Sequence, residues 1–306
     1  GRVVSRARQI YQDAKNTPPK QLLDEHRRGW AALWDVGGIE LETTDLALQQ
    51  ITNSSLYYLL MSTRPDWLYA TLVPSTIAAS APKPHGYFGT AFWDQDTFQA
   101  PPLMLFYPNI AKNLLDNRMF QLPAYKVNAE AFGLKGAYVP WEVGFTGGFA
   151  RDNEINHREV HVAADVALFV KQYCQMTQNS SALREYFPLL QGVSDFVVSR
   201  ANRTDKDGWL SVETVVGSDE STGLNDVNND IFTNAVGVLA LETTLEAVAS
   251  LGLSVPQAKI ASWQHAAKKL KLHLDIFQGR LLHKEYDQYT FSEGVNDTHT
   301  SHPTVG

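Results

Sequence analysis

Apolar residues recur at helical spacing over most of this chain, and this periodicity constrains the fold more than any other feature. Between residues 45 and 61, apolar side chains follow one another at intervals of three and four residues, which places them on one face of a helix. Alternation of apolar and polar residues, the pattern of a half-buried strand, is scarce. The spacing predicts helices over seven segments: 45–61, 97–106, 109–120, 159–176, 182–199, 230–251 and 257–273.

The segments between these helices are rich in Gly, Trp, Asp and Asn. We therefore expect an all-α scaffold whose polar and aromatic loops gather at one end as a site. Antiparallel helix pairs joined by alternately short and long loops fit an α/α toroid, and periodicity alone leaves an irregular bundle open. The basic, proline-containing start predicts an arm or linker over residues 1–29, followed by one helical domain over 30–306.

Composition excludes several classes of partner. The 306 residues carry a formal net charge of -7 with no long basic run, so we expect no nucleic-acid partner. We also expect no membrane partner, because the best apolar candidate, 160–173, is interrupted by Asp165 and Lys171. Four Asn-X-Ser/Thr sequons favour a secreted or lumenal location and leave a cytoplasmic one open. Oligomeric state is not predicted.

An aromatic and acidic stretch follows a glycine-rich turn at residues 86–98. It contains Trp93, Asp94 and Asp96. An indole can cover the apolar face of a pyranose while a carboxylate accepts hydrogen bonds from the sugar hydroxyls. We therefore take Trp93 and Asp96 as candidate sugar-binding residues, and Asp94 as the residue that anchors sugar hydroxyls at the catalytic centre.

A second loop of this kind, residues 136–142, ends in Trp141 and Glu142, which we add as candidate substrate-binding residues. Acids and two histidines follow, His157 and His161. No zinc-binding motif such as His-Glu-X-X-His is present, so hydrogen bonding and helix initiation are the expected roles, with no metal and no cofactor.

A third segment, 215–234, carries Asp219 and Glu220 and then an asparagine-rich helix start. Asn229 or Asp230 is the expected N-cap. Glycoside cleavage needs an acid that protonates the departing oxygen and a second carboxylate that activates water or attacks the sugar. Glu220 is the candidate acid, because a glutamic acid held against an aromatic surface has a raised pKa.

Taken in order, these three segments resemble glycoside hydrolase family 65. Phe92-Trp93-Asp94 is similar to the family's glucose-binding loop, and Pro140-Trp141-Glu142 to its second sugar-contacting loop. Asp219-Glu220, with Asn228-Asn229 and Thr233-Asn234, is similar to its general-acid segment. The resemblance covers residues 30 to 289, and Trp93-Asp94-Gln95-Asp96 is most similar to the branch that acts on glucosyl-galactosyl-hydroxylysine.

The resemblance implies an (α/α)6 barrel, a toroid of six helical hairpins. It also implies an inverting hydrolase that releases glucose from an α-glucoside such as glucosyl-galactosyl-hydroxylysine, kojibiose or trehalose. The substrate partner is then a small carbohydrate or a glycosylated peptide. Carried over by position, Glu220 is the general acid, and Trp93, Asp94, Trp141 and Glu142 line the glucose subsite; Asn228 is the candidate substrate-binding residue of the acid segment.

The chain also departs from the family pattern. Histidines are common near the positions of Phe88 and Thr90, and Ser218 and Ser221 stand where Pro and Tyr are frequent. No counterpart of the family's downstream general base is evident, and no motif selects Glu285, Asp287 or Glu293. We therefore expect the chain to be the upstream part of a catalytic barrel. A disaccharide phosphorylase of the same family and a non-catalytic glucose-binding homologue stay open as alternatives.

Overall fold

A computed structural model describes residues 2–69, 71–74, 87, 89–218, 220 and 227–291. The chain divides into two compact units, Gly1–Tyr57 and Tyr58–Gly306, which are described separately below.

The first unit is helical. It contains α1 (Arg2–Asn16), α2 (Pro19–Gly37) and most of α3 (Leu46–Met61). Pro19 starts α2 at a position where its missing N–H has no helical partner to lose. Helices therefore occupy the segment expected to be an arm or linker, while the domain boundary between residues 29 and 30 stays a prediction.

The second unit is built on longer helices. Its four central helices are α8 (Val162–Thr177), α9 (Ser180–Arg200), α10 (Ile231–Leu251) and α11 (Gln257–Lys269). Helices α8, α9 and α10 pack against one another, and α11 packs against α9 and α10. Their facing side chains, such as Phe169, Leu190, Phe196, Leu241 and Trp263, are buried. The predicted helical scaffold is confirmed for the described residues.

Four further helices belong to the described part of this unit. They are α4 (Ala100–Phe106), α5 (Pro108–Phe120), α6 (Leu122–Ala131) and α7 (Glu154–Arg158). Helices α4 and α5 pack against each other and against α8. The loops that follow α6 and α7 carry the second predicted sugar-binding segment and the histidine-bearing segment, so these short helices position candidate site residues.

Among the residues that the structure describes, two small antiparallel ribbons interrupt the all-α pattern. Strand β1 (Arg203–Thr204) pairs with β2 (Leu210–Ser211), and β3 (Leu274–Phe277) with β4 (Arg280–His283). The turn between β3 and β4 consists of Gln278 and Gly279, both with positive φ. Positive φ at both central residues gives the two-residue turn that matches strand twist. Helical periodicity did not predict these ribbons.

Helix α10 corrects the expectation that residues 160–173 are the best apolar candidate for a membrane span. Among the described residues, Ile231–Leu251 is long and apolar enough to cross a membrane by length and composition, and half of its most apolar window is buried inside the protein. It packs against α8, α9 and α11. A core helix passes the same test as a membrane span, so the burial explains the apolar composition.

Candidate active site

The Trp93 loop enters the helical body through a π-helical turn. Residues 93 and 94 are helical, a π-turn runs from Gln95 to Gln99, and α4 follows. The turn is widened where Pro101 and Pro102 follow, since neither has an N–H for the carbonyls one turn earlier. Ala100 instead donates to the carbonyl of Gln95, five residues back. Such turns are frequent at functional sites.

Asp94 and Asp96 lie two residues apart in different environments. Asp94 is partly buried, and that burial raises the pKa of its carboxyl, which its own backbone N–H partly offsets. Asp96 is fully buried, with both carboxylate oxygens bound by the Arg118 guanidinium. Asp96 therefore carries a structural ion pair, and this geometry does not favour its predicted contact with a sugar.

The Trp141 loop is joined to the Trp93 loop by backbone and by rings. Ala91 and Val143 exchange two backbone hydrogen bonds, of 3.1 and 2.8 Å. The ring of Phe92 packs edge-to-face on Trp141, with 4.9 Å between centroids. These contacts place the two predicted sugar-binding loops side by side.

Trp141 and Glu142 each present a buried polar group. The indole Nε1–H of Trp141 is buried and has no hydrogen-bond partner among the described residues. Glu142 is closed off from solvent, and Thr90 donates its hydroxyl to Glu142 Oε1 at 2.8 Å. Arg151 Nε lies 2.9 Å from Oε2, an ion pair without a directed hydrogen bond. An unpartnered N–H donor and a carboxylate oxygen without a directed hydrogen bond are groups that pair with hydroxyls.

The acid segment is described only in part, because Asp219 and residues 221–226 lie outside the described residues. Glu220 is exposed. Asn228 accepts a 2.9 Å hydrogen bond from the backbone of Thr214, which commits its side-chain oxygen to the loop. Asp230 caps α10 by accepting from the backbone and hydroxyl of Thr233. The predicted N-cap is confirmed, and it is Asp230.

A buried ionic group, hereafter the His161 cluster, lies behind Trp93 and consists of His161, Glu159 and Asp165. His161 Nδ1 lies 2.6 Å from Asp165 Oδ2, and Nε2 lies 3.0 Å from Glu159 Oε1. All three side chains are closed off from solvent. The expected hydrogen-bonding role of this segment is confirmed for His161.

The charges in the His161 cluster shift one another. Burial lowers the pKa of His161, but Asp165 and then Glu159 outweigh it and raise that pKa to about 10. Burial raises the pKa of Glu159 to about 7; His161 opposes this shift, and the charge of Glu220 adds to it. Since such charge effects need proximity, Glu220 belongs to the same electrostatic neighbourhood as Glu159.

Trp93 links its own loop to His161 and to the end of the acid segment. Its ring packs against His161 at 4.8 Å and against Phe232 at 5.6 Å. Phe232 belongs to the first turn of α10 and lies near the end of the acid segment. The structure thus brings the Trp93 loop, the Trp141 loop and the end of the acid segment together, while Asp96 and the side-chain oxygen of Asn228 are engaged within the protein.

Sequence reasoning missed the roles of Arg118, Arg151 and Asp165. Asp165 interrupts an otherwise apolar helix four residues after His161, and that spacing places both on one helix face; it is the signal that could have found the cluster. Among the described residues, no group of His, Cys, Asp and Glu has the arrangement of a metal site.

Comparison with known proteins identifies the family of this chain. Residues 69–302 match the model of the glycosyl hydrolase family 65 central catalytic domain. The chain belongs to glycosyl hydrolase family 65. The match contains all three predicted loop segments.

Two named relatives align with most of this chain. The protein-glucosylgalactosylhydroxylysine glucosidase of Gallus gallus is 31% identical over 301 residues, which is 93% of this chain and 42% of that protein. The kojibiose hydrolase of Flavobacterium johnsoniae is 31% identical over 275 residues, 88% of this chain and 37% of that protein. The chain therefore spans less than half the length of these relatives.

A solved structure supports the fold. It comes from the human microbiome and carries the name kojibiose phosphorylase; it matches with a TM-score of 0.77 over 92% of this chain and 38% of that chain. Sequence identity is 19%, so the likeness concerns the fold alone. A family 65 fold agrees with the helical packing described above.

Proposed function

We propose that this chain is part of an inverting α-glucosidase that releases glucose from an α-linked glucoside, with an (α/α)6 barrel as its complete catalytic fold. Glucosyl-galactosyl-hydroxylysine and kojibiose are the first substrates to test, since relatives named for acting on them share 31% of aligned residues. The family match over residues 69–302 is the observation that carries the proposal.

In this proposal the glucose ring lies against Trp93. Asp94 accepts hydrogen bonds from its hydroxyls, and the free Nε1–H of Trp141 donates to another. Glu142, held by Thr90 and Arg151, faces the same sugar. A partly buried aromatic surface with few fixed polar groups is typical of ligand sites, and the contact of Phe92 with Trp141 supports one subsite built from both loops.

Glu220 is the proposed general acid. Protonation of the glycosidic oxygen requires a carboxyl that keeps its proton near neutral pH. The similarity of Asp219-Glu220 to the family's general-acid segment supports this assignment, and Glu220 lies close enough to the buried carboxyl of Glu159 for its charge to raise the pKa of Glu159. In an inverting enzyme the general base lies about 6.5 to 9.5 Å from the acid, leaving space for water.

The acids near the chain end differ in availability as a base. Asp287 is bound by Lys271 at 2.9 Å and by Asn229 at 2.8 Å, which keeps its carboxylate in a structural role. Glu293 lies outside the described residues. The proposal therefore assigns the acid and the glucose subsite and leaves the base unassigned.

The test is glucose release from kojibiose and from glucosyl-galactosyl-hydroxylysine by the wild type and by Glu220→Gln. We expect a loss of at least about 100-fold in kcat in the variant, the scale of general acid catalysis. Glu213→Gln, which alters a partly exposed carboxylate two residues before the acid segment, is the matched control and should keep its activity. Equal activity of wild type and Glu220→Gln would remove Glu220 from the mechanism.

The first product distinguishes the reaction types. Proton NMR of the fresh product should show β-glucose, the anomer that inversion of an α-glucoside gives. Phosphate-dependent formation of a glucose phosphate would instead identify a phosphorylase. Glucose binding without turnover of either substrate would identify a sugar-binding homologue.

A further inference from the structure

The His161 ring is held from both sides by rigid parts of the fold. Glu159 follows α7 directly, and Asp165 lies in the first turn of α8. Because the two ring nitrogens of an imidazole point in fixed directions, partners at 2.6 and 3.0 Å fix the plane of the ring as well as its position.

The fixed His161 ring then contacts the aromatic residues of the candidate glucose subsite. Trp93 meets it edge-to-face, with centroids 4.8 Å apart and an interplanar angle of 82°. Phe232 also packs on His161, at 5.0 Å and 86°, and on Trp93. The three rings therefore form a closed triangle, in which rotation of the indole would break the contacts with the other two.

Burying several ionised groups together costs free energy. Two buried carboxylates and one imidazolium lose their hydration, and a well-packed apolar group of similar volume is often as stable. Glu159 Oε2 and Asp165 Oδ1 have no hydrogen-bond partner among the described residues. The cluster therefore stabilises the fold poorly for its size, while it fixes one ring orientation well.

We propose that His161, held between Glu159 and Asp165, is a positioning residue that sets the orientation of the Trp93 ring at the glucose subsite. The inference rests on the proposed function, because Trp93 has a ligand only if that subsite exists. His161 does not touch the sugar; it acts through the indole. Preorganised side chains bind more tightly because less conformational freedom is lost on binding.

The test compares glucose affinity with the state of the Trp93 ring. D-glucose is titrated calorimetrically into the full chain of the wild type and of Trp93→Phe, His161→Asn and Asp165→Asn. The Trp93 indole N–H signal, assigned in NMR spectra by its loss in Trp93→Phe, reports the ring orientation. Asp195→Asn is the matched control: it removes a partly buried carboxylate bound to Lys259 and Trp263, away from Trp93.

We expect Trp93→Phe to raise the Kd for glucose about fivefold or more, the scale of one aromatic contact. Asp165→Asn and His161→Asn should raise it about threefold or more and shift the Trp93 signal. Asp195→Asn should lower the melting temperature and leave Kd and the Trp93 signal unchanged. Should Asp165→Asn fail to fold, Glu159→Gln is used in its place.

A wrong positioning role and a wrong glucose subsite give different results. If Trp93→Phe weakens glucose binding while folded Asp165→Asn or Glu159→Gln leaves Kd and the Trp93 signal at wild-type values, the positioning role is wrong and the subsite stands. If Trp93→Phe itself leaves glucose affinity unchanged, the proposed subsite is wrong, and the positioning role falls with it.

Discussion

Two buried ionic clusters lie behind the Trp93 loop, and they contact different parts of it. The Arg118 cluster consists of Arg118, Asp96, Tyr125 and Gln121. Arg118 binds both oxygens of Asp96, the hydroxyl of Tyr125 at 3.2 Å and the backbone carbonyl of Phe92 at 3.3 Å. The His161 cluster instead contacts the Trp93 ring.

The two clusters also differ in how their charges are matched. Arg118 binds one carboxylate directly, and although burial opposes its charge, Asp96 raises its pKa; the Arg118 charge also lowers the pKa of Asp165 in the other cluster. His161 faces two carboxylates, and burial keeps the pKa values of both Glu159 and Asp165 raised. We therefore expect the Arg118 pair, which also holds backbone, to contribute mainly to stability, and the His161 cluster, which contacts the Trp93 ring, to act mainly on the proposed glucose subsite.

The largest loss of stability is expected from breaking the ion pair between Arg118 and Asp96. Arg118→Met should lower the free energy of unfolding by about 3 to 5 kcal/mol, because it leaves the Asp96 carboxylate buried without a partner. Urea denaturation followed by circular dichroism measures this loss. The double variant Arg118→Met/Asp96→Leu should recover most of it, since an apolar pair of similar volume replaces the ions.

The same double variant tests the predicted sugar contact of Asp96. If Asp96 is structural, the folded double variant keeps wild-type affinity for glucose. A large loss of glucose affinity, with stability recovered, would return Asp96 to the substrate-binding residues that the sequence predicts. A single variant as stable as the wild type would show that the Arg118 pair does not stabilise the fold.

A smaller and pH-dependent effect is expected from the His161 cluster. The pKa of folded His161 is raised from 6.5 to about 10, so its stabilising contribution is complete below pH 6.5. That contribution is lost as pH rises to about 10, because the unfolded chain releases the proton first. Unfolding free energies measured across this range should fall more steeply for the wild type than for His161→Asn. Parallel pH profiles would contradict a charged His161.

The smallest effects are expected from a matched pair of ring substitutions. Tyr125→Phe removes one hydroxyl from the Arg118 cluster, and Phe232→Leu removes one ring from the contact with Trp93 and His161. Each should lower the free energy of unfolding by about 1 kcal/mol. Only Phe232→Leu should weaken glucose binding in calorimetry. Equal glucose affinities in the two variants would remove the distinction between the clusters.

Much of the fold could be predicted from periodicity, and the differences have local causes. Helices α5, α9 and α10 begin and end within two residues of their predicted bounds. Helix α6 was missed because it is short and its apolar residues do not form one stripe. The predicted start of α8 at Glu159 is three residues early, because residues 159–161 turn inward to form the His161 cluster.

The candidate site was less predictable than the helices around it. The four letters Trp93-Asp94-Gln95-Asp96 indicate a sugar loop, but they cannot distinguish the partly buried Asp94 from the ion-paired Asp96. That difference depends on Arg118, 22 residues later in the chain. Glu142 is held by Thr90 and Arg151. Thr90 lies 52 residues earlier in the chain, and no sequence motif marks Arg151, so only the folded chain identifies these partners.

A crystal structure with D-glucose bound tests the central claim most directly. We predict the sugar ring against Trp93, with a carboxylate oxygen of Asp94 and Nε1 of Trp141 within about 3.2 Å of its hydroxyls. Phe232 and His161 should keep their contacts with Trp93. Glucose bound away from both loops at saturating concentration, or a Trp93 ring turned away from the sugar, would contradict the proposed subsite.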